Sequence, residues 1–420
     1  MDEKRILEAY EMAKERYAAL GVDTEAALTR AAAIPISMNC WQGDDVLGFD
    51  NGGALDGGIA TTGSYPGRAR TPEELRQDID EGLSYVPGKM KLNLHANYAN
   101  TKGRSVDRDA YTVELFEDWL QWAEKAGVGM DFNATYFSHP KMDGFYSLSS
   151  LDPGVRHFWV EHGKRCLEIA EAFAKRLGQP SVVNYWMADG SKDRVVDSVK
   201  RRKLMIESLD EILSVKVDRT LAIPAIESKL FGIGAESYTV ANHEFSYGYA
   251  ITRGIAYCLD AGHFHPTEVI SAKISSALQY LDKLLLHVSR PVRWDSDHVV
   301  LFDDELAAIM DELIFNNFEK RVFIGTDCFD ASINRIAAWG VMLRSVRKAL
   351  LFACLAPIEK LKACETNGDY AGRLALLEER KTLPFGAVWD YLCMKASKPV
   401  GTDWIKAYRD YEARVLSRRN

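Results

Sequence analysis

Several classes are closed to this sequence by what it lacks. No run in its 420 residues approaches the ~20 consecutive apolar side chains that a membrane-spanning helix needs. Its start, Met1-Asp2-Glu3-Lys4-Arg5, carries charges of both signs and leads into an amphipathic pattern, without the apolar core or cleavage site of a secretory signal. Cysteine is sparse: seven residues, an odd number, and no CxxC. A disulfide framework or a thiolate zinc site is therefore not expected in so long a chain. Cys258 and Cys354 lie in apolar runs and read as small buried hydrophobes, and a reducing cytoplasm is the simplest compartment. Positive charge is in deficit, 52 Lys and Arg against 60 Asp and Glu, a formal net charge of −8. That balance gives no general footprint for nucleic acid or an anionic membrane. There is no G-x-G-x-x-G after the first apolar run, no low-complexity tract and no internal repeat. What remains is ordinary globular composition, 47% hydrophobic and 27% charged, enough for one large α/β barrel with extensions or for two to three smaller domains.

The order along the chain is more specific. Ile6, Leu7, Tyr10, Ala13, Tyr17 and Leu20 recur at helical spacing before Gly21. Eight short runs rich in strand formers then follow: 36–41, 91–95, 129–133, 181–186, 221–227, 255–260, 284–288 and 321–327. Amphipathic segments separate them at about 73–86, 111–126, 155–177, 196–214, 239–254, 267–282 and 303–318, and 333–352 supplies an eighth helix. Strand alternating with helix predicts parallel βαβ units, and eight of them suit a (β/α)8 TIM barrel over 1–352 with its N-terminal helix. A doubly wound sheet is the rival. Residues 353–420 are expected to form a C-terminal helical extension, with helices at 371–379, 385–395 and 404–417, that packs on the barrel or at a subunit interface. The long Gly-rich loop 42–72 is a candidate lid.

Catalytic groups of barrels stand at the C-terminal ends of strands, and here nearly every run ends in polar or aromatic residues. They are Trp41, Gln42, Asp44 and Asp45; His95; Asp131 and Asn133; Trp186 and Asp189; Glu227 and Lys229; Asp260 and His263; His287, Asp295 and Asp297; Asp327 and Asp330. Carboxylates and imidazoles without thiolates suit Mg2+, Mn2+, Co2+ or Zn2+. Glu227, Asp260, His287 and Asp327 come from four adjacent strands at one depth and form one ligand group. His263, Asp295 and Asp297 lie further out and form a second. Taken singly, Asp-x-Asp is a common solvated turn and His287 a common core histidine; their recurrence in consecutive βα units is what favours metal. Trp41, Trp186 and Phe132 are expected near the mouth. His139, His157, His162, His243 and His298 have no such context and read as surface or packing residues.

Four long motifs then carry a resemblance: 227–240, 258–268, 286–298 and 329–339, supported by Met38–Asp45, Leu92–His95 and Val415–Ser417. Over essentially the whole chain they resemble the L-rhamnose isomerase family, departing only at minor positions such as Asn39 and Thr326–Cys328. The resemblance implies a (β/α)8 barrel, two divalent ions with Mn2+ at the catalytic site, a cytoplasmic homotetramer and conversion of L-rhamnose to L-rhamnulose. It implies Glu227, Asp260, His287 and Asp327 as ligands of a structural ion, and His263, Asp295 and Asp297 as ligands of the catalytic one. It makes Lys229 a substrate-contacting lysine and places His95 near the sugar's ring oxygen. Hydrogen then moves from C2 to C1 as a hydride after ring opening, or through an ene-diol with Asp327, Asp330 or a metal-bound hydroxide carrying the proton. Trp41, Trp186 and Phe132 would receive the C6 methyl. A metal-dependent hydrolase or nuclease, and a non-catalytic sugar-binding barrel, are the rival readings; the acidic balance opposes the first, and the full ligand set with Lys229 and His95 the second.

Overall fold

The computed structural model describes residues 2–43, 46–50, 63–231 and 235–419. Eight strands close into a parallel barrel: β1 Ile36–Asn39, β2 Met90–His95, β3 Gly129–Asn133, β4 Ser181–Tyr185, β5 Ala222–Glu227, β6 Ala256–Asp260, β7 Leu284–Val288 and β8 Val322–Thr326. Each strand pairs with its neighbour in the chain, and β8 pairs back onto β1, the barrel expected from the βα rhythm. Fourteen α-helices accompany it among the described residues: α1 Glu3–Ala18, α2 Thr24–Ala33, α3 Pro72–Ser84, α4 Glu117–Ala126, α5 Pro153–Leu177, α6 Ser198–Ile212, α7 His243–Arg253, α8 Ser271–Ala277, α9 Asp304–Phe315, α10 Arg335–Cys354, α11 Ile358–Thr366, α12 Tyr370–Glu379, α13 Phe385–Lys395 and α14 Asp403–Arg414. None of the described helices is long and apolar enough to cross a membrane.

Strand alternation sorts the barrel interior into two halves. Counting back by twos from Glu227, Asp260 and His287 gives Ala225 and Ile223, Cys258 and Ala256, and Leu285. Together with Val182 and Phe323 these form a small apolar cluster of their own, separate from the large strand–helix core. The other half is polar. Ser37 and Asn39 on β1, Lys91, Asn93 and His95 on β2, and Asp131 and Asn133 on β3 are all buried. There Lys91 pairs with Asp131 and also donates to the Pro180 carbonyl at 2.8 Å, while Asp131 accepts from the Val182 amide at 2.8 Å. Asp131, a candidate by its strand-end position, is thus a structural counter-ion.

Three elements differ from expectation. Helix α2 was not anticipated, although Asp23 caps it by accepting from the Glu25 and Ala26 amides at 2.9 and 3.1 Å. Helix α11 likewise precedes the first expected helix of the extension. Segment 267–282 contains only the short α8, because the Glu305 carboxylate of α9 takes the Ser271 amide and hydroxyl at 3.1 and 2.9 Å and fixes the start there. The C-terminal helices fold back on the body: Tyr391 of α13 stacks on Tyr10 of α1 at 3.8 Å. Arg419 and Tyr411 both bond buried Asp78 of α3, at 2.6 and 2.5 Å.

Candidate metal centre

Glu227, Asp260 and His287 are the last inward residues of β5 and β6 and the penultimate residue of β7, and Asp327 follows β8. Register brings them level: Asp260 pairs with His287 across β6 and β7, and Gly325, two residues before Asp327, pairs with His287 across β7 and β8. Gly325 is needed at that point, since a Cβ there would lie 3.1 Å from the His287 ring and 2.9 Å from the Leu286 carbonyl. His287 Nδ1 lies 3.3 Å from Glu227 Oε2, 3.5 Å from Asp260 Oδ2 and 3.7 Å from Asp327 Oδ2. All four side chains expected in the first ligand group therefore meet around one imidazole.

The second group adjoins it. His263 Nδ1 is 3.0 Å from Glu227 Oε1, and its Nε2 is 3.5 Å from Asp295 Oδ2. Donor atoms of Asp260, Asp295 and Asp297 fall within 4.8 Å of one another, as do those of Glu227, Asp260 and His263. Asp260 belongs to both groups and His263 reaches into the first, so the two are fused. Gly262 allows the close approach: its amide donates to Asp260 Oδ1 at 2.6 Å, and a Cβ would sit 2.4 Å from Asp295 Oδ1. Asp297 adopts a left-handed φ of 42°, tolerable for aspartate. Its carbonyl accepts the Phe329 amide at 2.8 Å, tying the β7 loop to the β8 loop.

The electrostatics fit a cation. Asp260 Oδ2, Asp295 Oδ1, Asp297 Oδ1, Asp327 Oδ1 and both ring nitrogens of His287 are buried without a hydrogen-bond partner among the described residues. Orphaned buried carboxylate oxygens are costly unless a cation takes them, and the unpartnered His287 nitrogens lie among them. Burial and the facing Asp260 carboxylate push Asp327 up to about 8. Burial with Asp295 and Asp327 pushes Asp297 well above the carboxylate range. Burial opposes charge on His263 too, yet Asp260 and Asp295 outweigh it and lift the imidazole to about 9. Protons occupy sites that a divalent ion would serve better, and these acidic and imidazole clusters could hold metal.

Lys229 and the aromatic residues complete the mouth. Lys229 Nζ is paired with Asp295, 3.0 Å from His263 Nε2 and 5.3 Å from the centre of the Trp186 ring. Burial opposes its charge, but Asp295 and Asp297 hold it above the ordinary lysine value. A cleft of about 390 Å³ opens beside Lys229, His263, Leu230, Tyr238 and Arg202. Trp41 stacks on Phe329 at 4.8 Å, meets His95 edge-on at 5.2 Å and donates its indole N–H to the Cys328 carbonyl at 2.6 Å. Phe137 lies between His95 at 6.0 Å and Trp186 at 5.2 Å. Trp186 Nε1 is buried without a hydrogen-bond partner among the described residues. His95 Nδ1 lies 2.9 Å from Thr135 Oγ1, and burial, reinforced by the His287 and Arg108 charges, lowers the imidazole to about 3.

Some candidates lie elsewhere. Phe132 was expected at the mouth, but its ring packs edge-on against Phe116 at 5.1 Å and Phe173 of α5 at 5.5 Å. It faces the strand–helix layer because strand parity sends Asp131 and Asn133 inward. Asp189 is held by the amides and hydroxyls of Ser147 and Ser149. Asp330 caps its own turn through the Ser332 amide and hydroxyl at 2.9 and 2.5 Å. His162 is a packing residue, its Nδ1 3.0 Å from the Arg108 carbonyl. Asp44, Asp45 and much of the candidate lid lie outside the described residues. Sequence reasoning missed Asn184, which donates to Glu227, and also Phe137, Phe329 and Thr135. Asn184 had a signal, two residues from Val182 on the inward parity of β4.

A family model described as L-rhamnose isomerase (RhaA) matches residues 4–419. The L-rhamnose isomerase of Mannheimia succiniciproducens is 56% identical over 415 residues, covering 99% of each chain. That of Citrobacter koseri is 52% identical over 414 residues, covering 98% of this chain and 99% of its own. Among solved structures, an L-ribulose 3-epimerase aligns with a TM-score of 0.45 and 12% identity over 73% of this chain and 98% of its own.

Proposed function

The chain belongs to the L-rhamnose isomerase family and interconverts L-rhamnose and L-rhamnulose as an aldose–ketose isomerase, and from that premise we propose that the cluster at the ends of β5–β8 is its active site. Glu227, Asp260, His287 and Asp327 hold one divalent ion, which we take as structural and open to Mn2+, Zn2+, Co2+ or Mg2+. His263, Asp295 and Asp297 hold a second, catalytic ion, taken as Mn2+, with Asp260 shared between the two. The observation that carries this reading is the set of buried carboxylate and imidazole atoms left without hydrogen-bond partners among the described residues at the ends of those strands and in the loop after β7.

The ions these residues would hold would supply Lewis acidity to the open-chain sugar, and hydrogen would pass from C2 to C1 as a hydride. The chain's own groups do the rest. His95, neutral and beside Trp41 and Phe137, handles a proton at the ring oxygen or O1 during ring opening. Lys229, kept cationic by Asp295, stabilises charge developing on O1. Trp41 and Trp186 line the side that receives the C6 methyl, and the indole N–H of Trp186, without a partner among the described residues, can donate to a sugar hydroxyl. The hydride route is supported by the commitments of the other groups: Lys229 is engaged by Asp295, Asp330 by its own turn, and Asp327 belongs to the cluster. Running the reaction in deuterium oxide separates the routes. The hydride reading expects product C1 without solvent deuterium; substantial incorporation would establish an ene-diol path, with Asp327 or a metal-bound hydroxide as its base.

The helices after α10 are proposed as an extension that serves a subunit interface in a cytoplasmic homotetramer, with the barrel proper over 1–352. Ketose formation from L-rhamnose by EDTA-treated protein, with Mn2+ restored or withheld, tests the central reading. Activity that returns only with metal is expected; full activity with both sites metal-free by mass would refute it.

A further inference from the structure

We propose that Thr135 sets the tautomer of His95, holding the ring proton on Nδ1 and leaving Nε2 as a proton acceptor. This rests on the reading of His95 as the ring-opening group and deepens it. Thr135 is a β-branched residue in the left-handed region, with a φ of 55°. Such a conformation is a genuine outlier for threonine and persists only where its surroundings impose it. Here they do. Arg108 donates to the Thr135 carbonyl at 2.8 Å and to the Phe137 carbonyl at 3.0 Å, and is itself fixed by Asp50 at 2.9 Å. The Thr135 amide donates to Asn133 Oδ1 at 3.2 Å.

The strained backbone sets the hydroxyl among three partners. Oγ1 donates its one hydrogen to the Asn133 carbonyl at 3.2 Å and accepts from the Ala96 amide at 3.1 Å. Its remaining lone pair faces His95 Nδ1 at 2.9 Å. A carbonyl can only accept, so a hydroxyl that keeps its hydrogen on Asn133 meets Nδ1 as acceptor, and in the proposed arrangement Nδ1 carries the proton. A neutral ring protonated there has an unshared pair on Nε2. His95 therefore begins ring opening as a base. Nε2 takes the proton of the anomeric hydroxyl, the C1–O5 bond breaks with its electron pair going to O5, and the C1 carbonyl forms. O5 takes a proton from solvent, and the imidazolium returns its own to solvent. Thr135 is a positioning residue in this scheme, acting through His95.

The test uses the full-length enzyme, Mg2+-loaded and labelled with 15N-histidine for spectra, and Mn2+-loaded for kinetics, with His95→Gln identifying the His95 signals. The wild type is expected to show the His95 proton on Nδ1, and Thr135→Val to lose that localisation. Thr135→Val should lower kcat on L-rhamnose by about 10-fold or more, with KM and bound metal unchanged. Thr135→Ser, which keeps the hydroxyl, should stay within about threefold of wild type. A proton on Nε2 in the wild type, or Thr135→Val turning over at the wild-type rate while His95→Gln is inactive, would overturn the inference. A fully active His95→Gln would instead remove the ring-opening role on which it rests.

Discussion

Stripping the metal should make the stability of this protein fall as pH rises through neutrality, because protons then stand in for the cations. Asp327 is held up to about 8 in the fold and would ionise near 3.9 in the unfolded chain. Between those values the folded state binds the extra proton, so stability declines with pH. His263 is lifted to about 9, against about 6.5 unfolded. Its contribution is complete below the unfolded value and is lost as pH climbs through the folded one, which gives the same sign. Asp297 and His287 are raised as well and add in the same direction. His95, lowered to about 3, acts oppositely, but only below about 6.5, where the unfolded imidazole still takes a proton. The window from about 6.5 to 8 is therefore free of that opposing contribution. A group differing by one full proton contributes about 1.4 kcal/mol per pH unit; Asp327 is half-titrated at the top of the window and unfolded His263 at its bottom, so together they give roughly 2 kcal/mol per unit across it. Urea unfolding at fixed protein concentration, at pH 6.5, 7.25 and 8 in EDTA and in excess Mn2+, measures this. The metal-loaded curve should be flat or rise, since proton competition for the ligands weakens with pH. Metal-free stability that holds constant or rises over this window would refute the placement of these groups against one another.

Other perturbations separate the site from its scaffold. Gly262→Ala would drive a methyl to within 2.4 Å of Asp295 Oδ1; bound metal by mass spectrometry should fall by about one ion per chain and kcat by about 100-fold or more, in line with a displaced catalytic group. Asp131→Asn leaves Lys91 buried without its counter-ion, and should cost about 3–5 kcal/mol in denaturant unfolding with kcat/KM on L-rhamnose unchanged. Phe132→Leu should cost about 1 kcal/mol through altered packing on Phe116 and Phe173; a changed preference for L-rhamnose over L-lyxose would return that residue to the mouth.

The barrel was legible because each strand carried its own signal: a short apolar run, then a polar end, then a helix. The first ligand group was legible for the same reason, since equivalent positions at the ends of consecutive strands must converge when the sheet closes. Phe132 was misread because proximity to a strand end was allowed to outweigh parity. With Asp131 and Asn133 inward, Phe132 has to face the helices, as Tyr185 does between Asn184 and Trp186, its hydroxyl bonding the Gly163 carbonyl at 2.9 Å. Thr135 and Phe137 were illegible for a different reason. They lie past β3, where no periodicity holds, and a positive φ at a threonine has no signature in composition. The fusion of the two ligand groups through Asp260 was hidden as well, because it depends on loop trajectories around Gly262 and Asp297 that strand spacing does not set.

The same alternation that exposed the ligands also explains why they sit where they do. Beneath Glu227, Asp260 and His287 the interior is Ala225, Cys258, Leu285 and the rest of the small apolar cluster, a floor that offers the carboxylates neither water nor a counter-ion. Such a floor makes uncompensated charge costly and strengthens any interaction with a cation placed above it. Beneath His95 the interior is instead Asn93 and the Lys91–Asp131 pair, whose charges cancel locally. Imidazoles on the two sides diverge: Asp260 and Asp295 outweigh burial and lift His263 to about 9, while burial, with the His287 and Arg108 charges, lowers His95 to about 3. One barrel thus places a cation-demanding cluster and a neutral imidazole on opposite walls of one mouth. The proposed mechanism uses the imidazole for opening the sugar ring and the cluster for moving hydrogen between adjacent carbons.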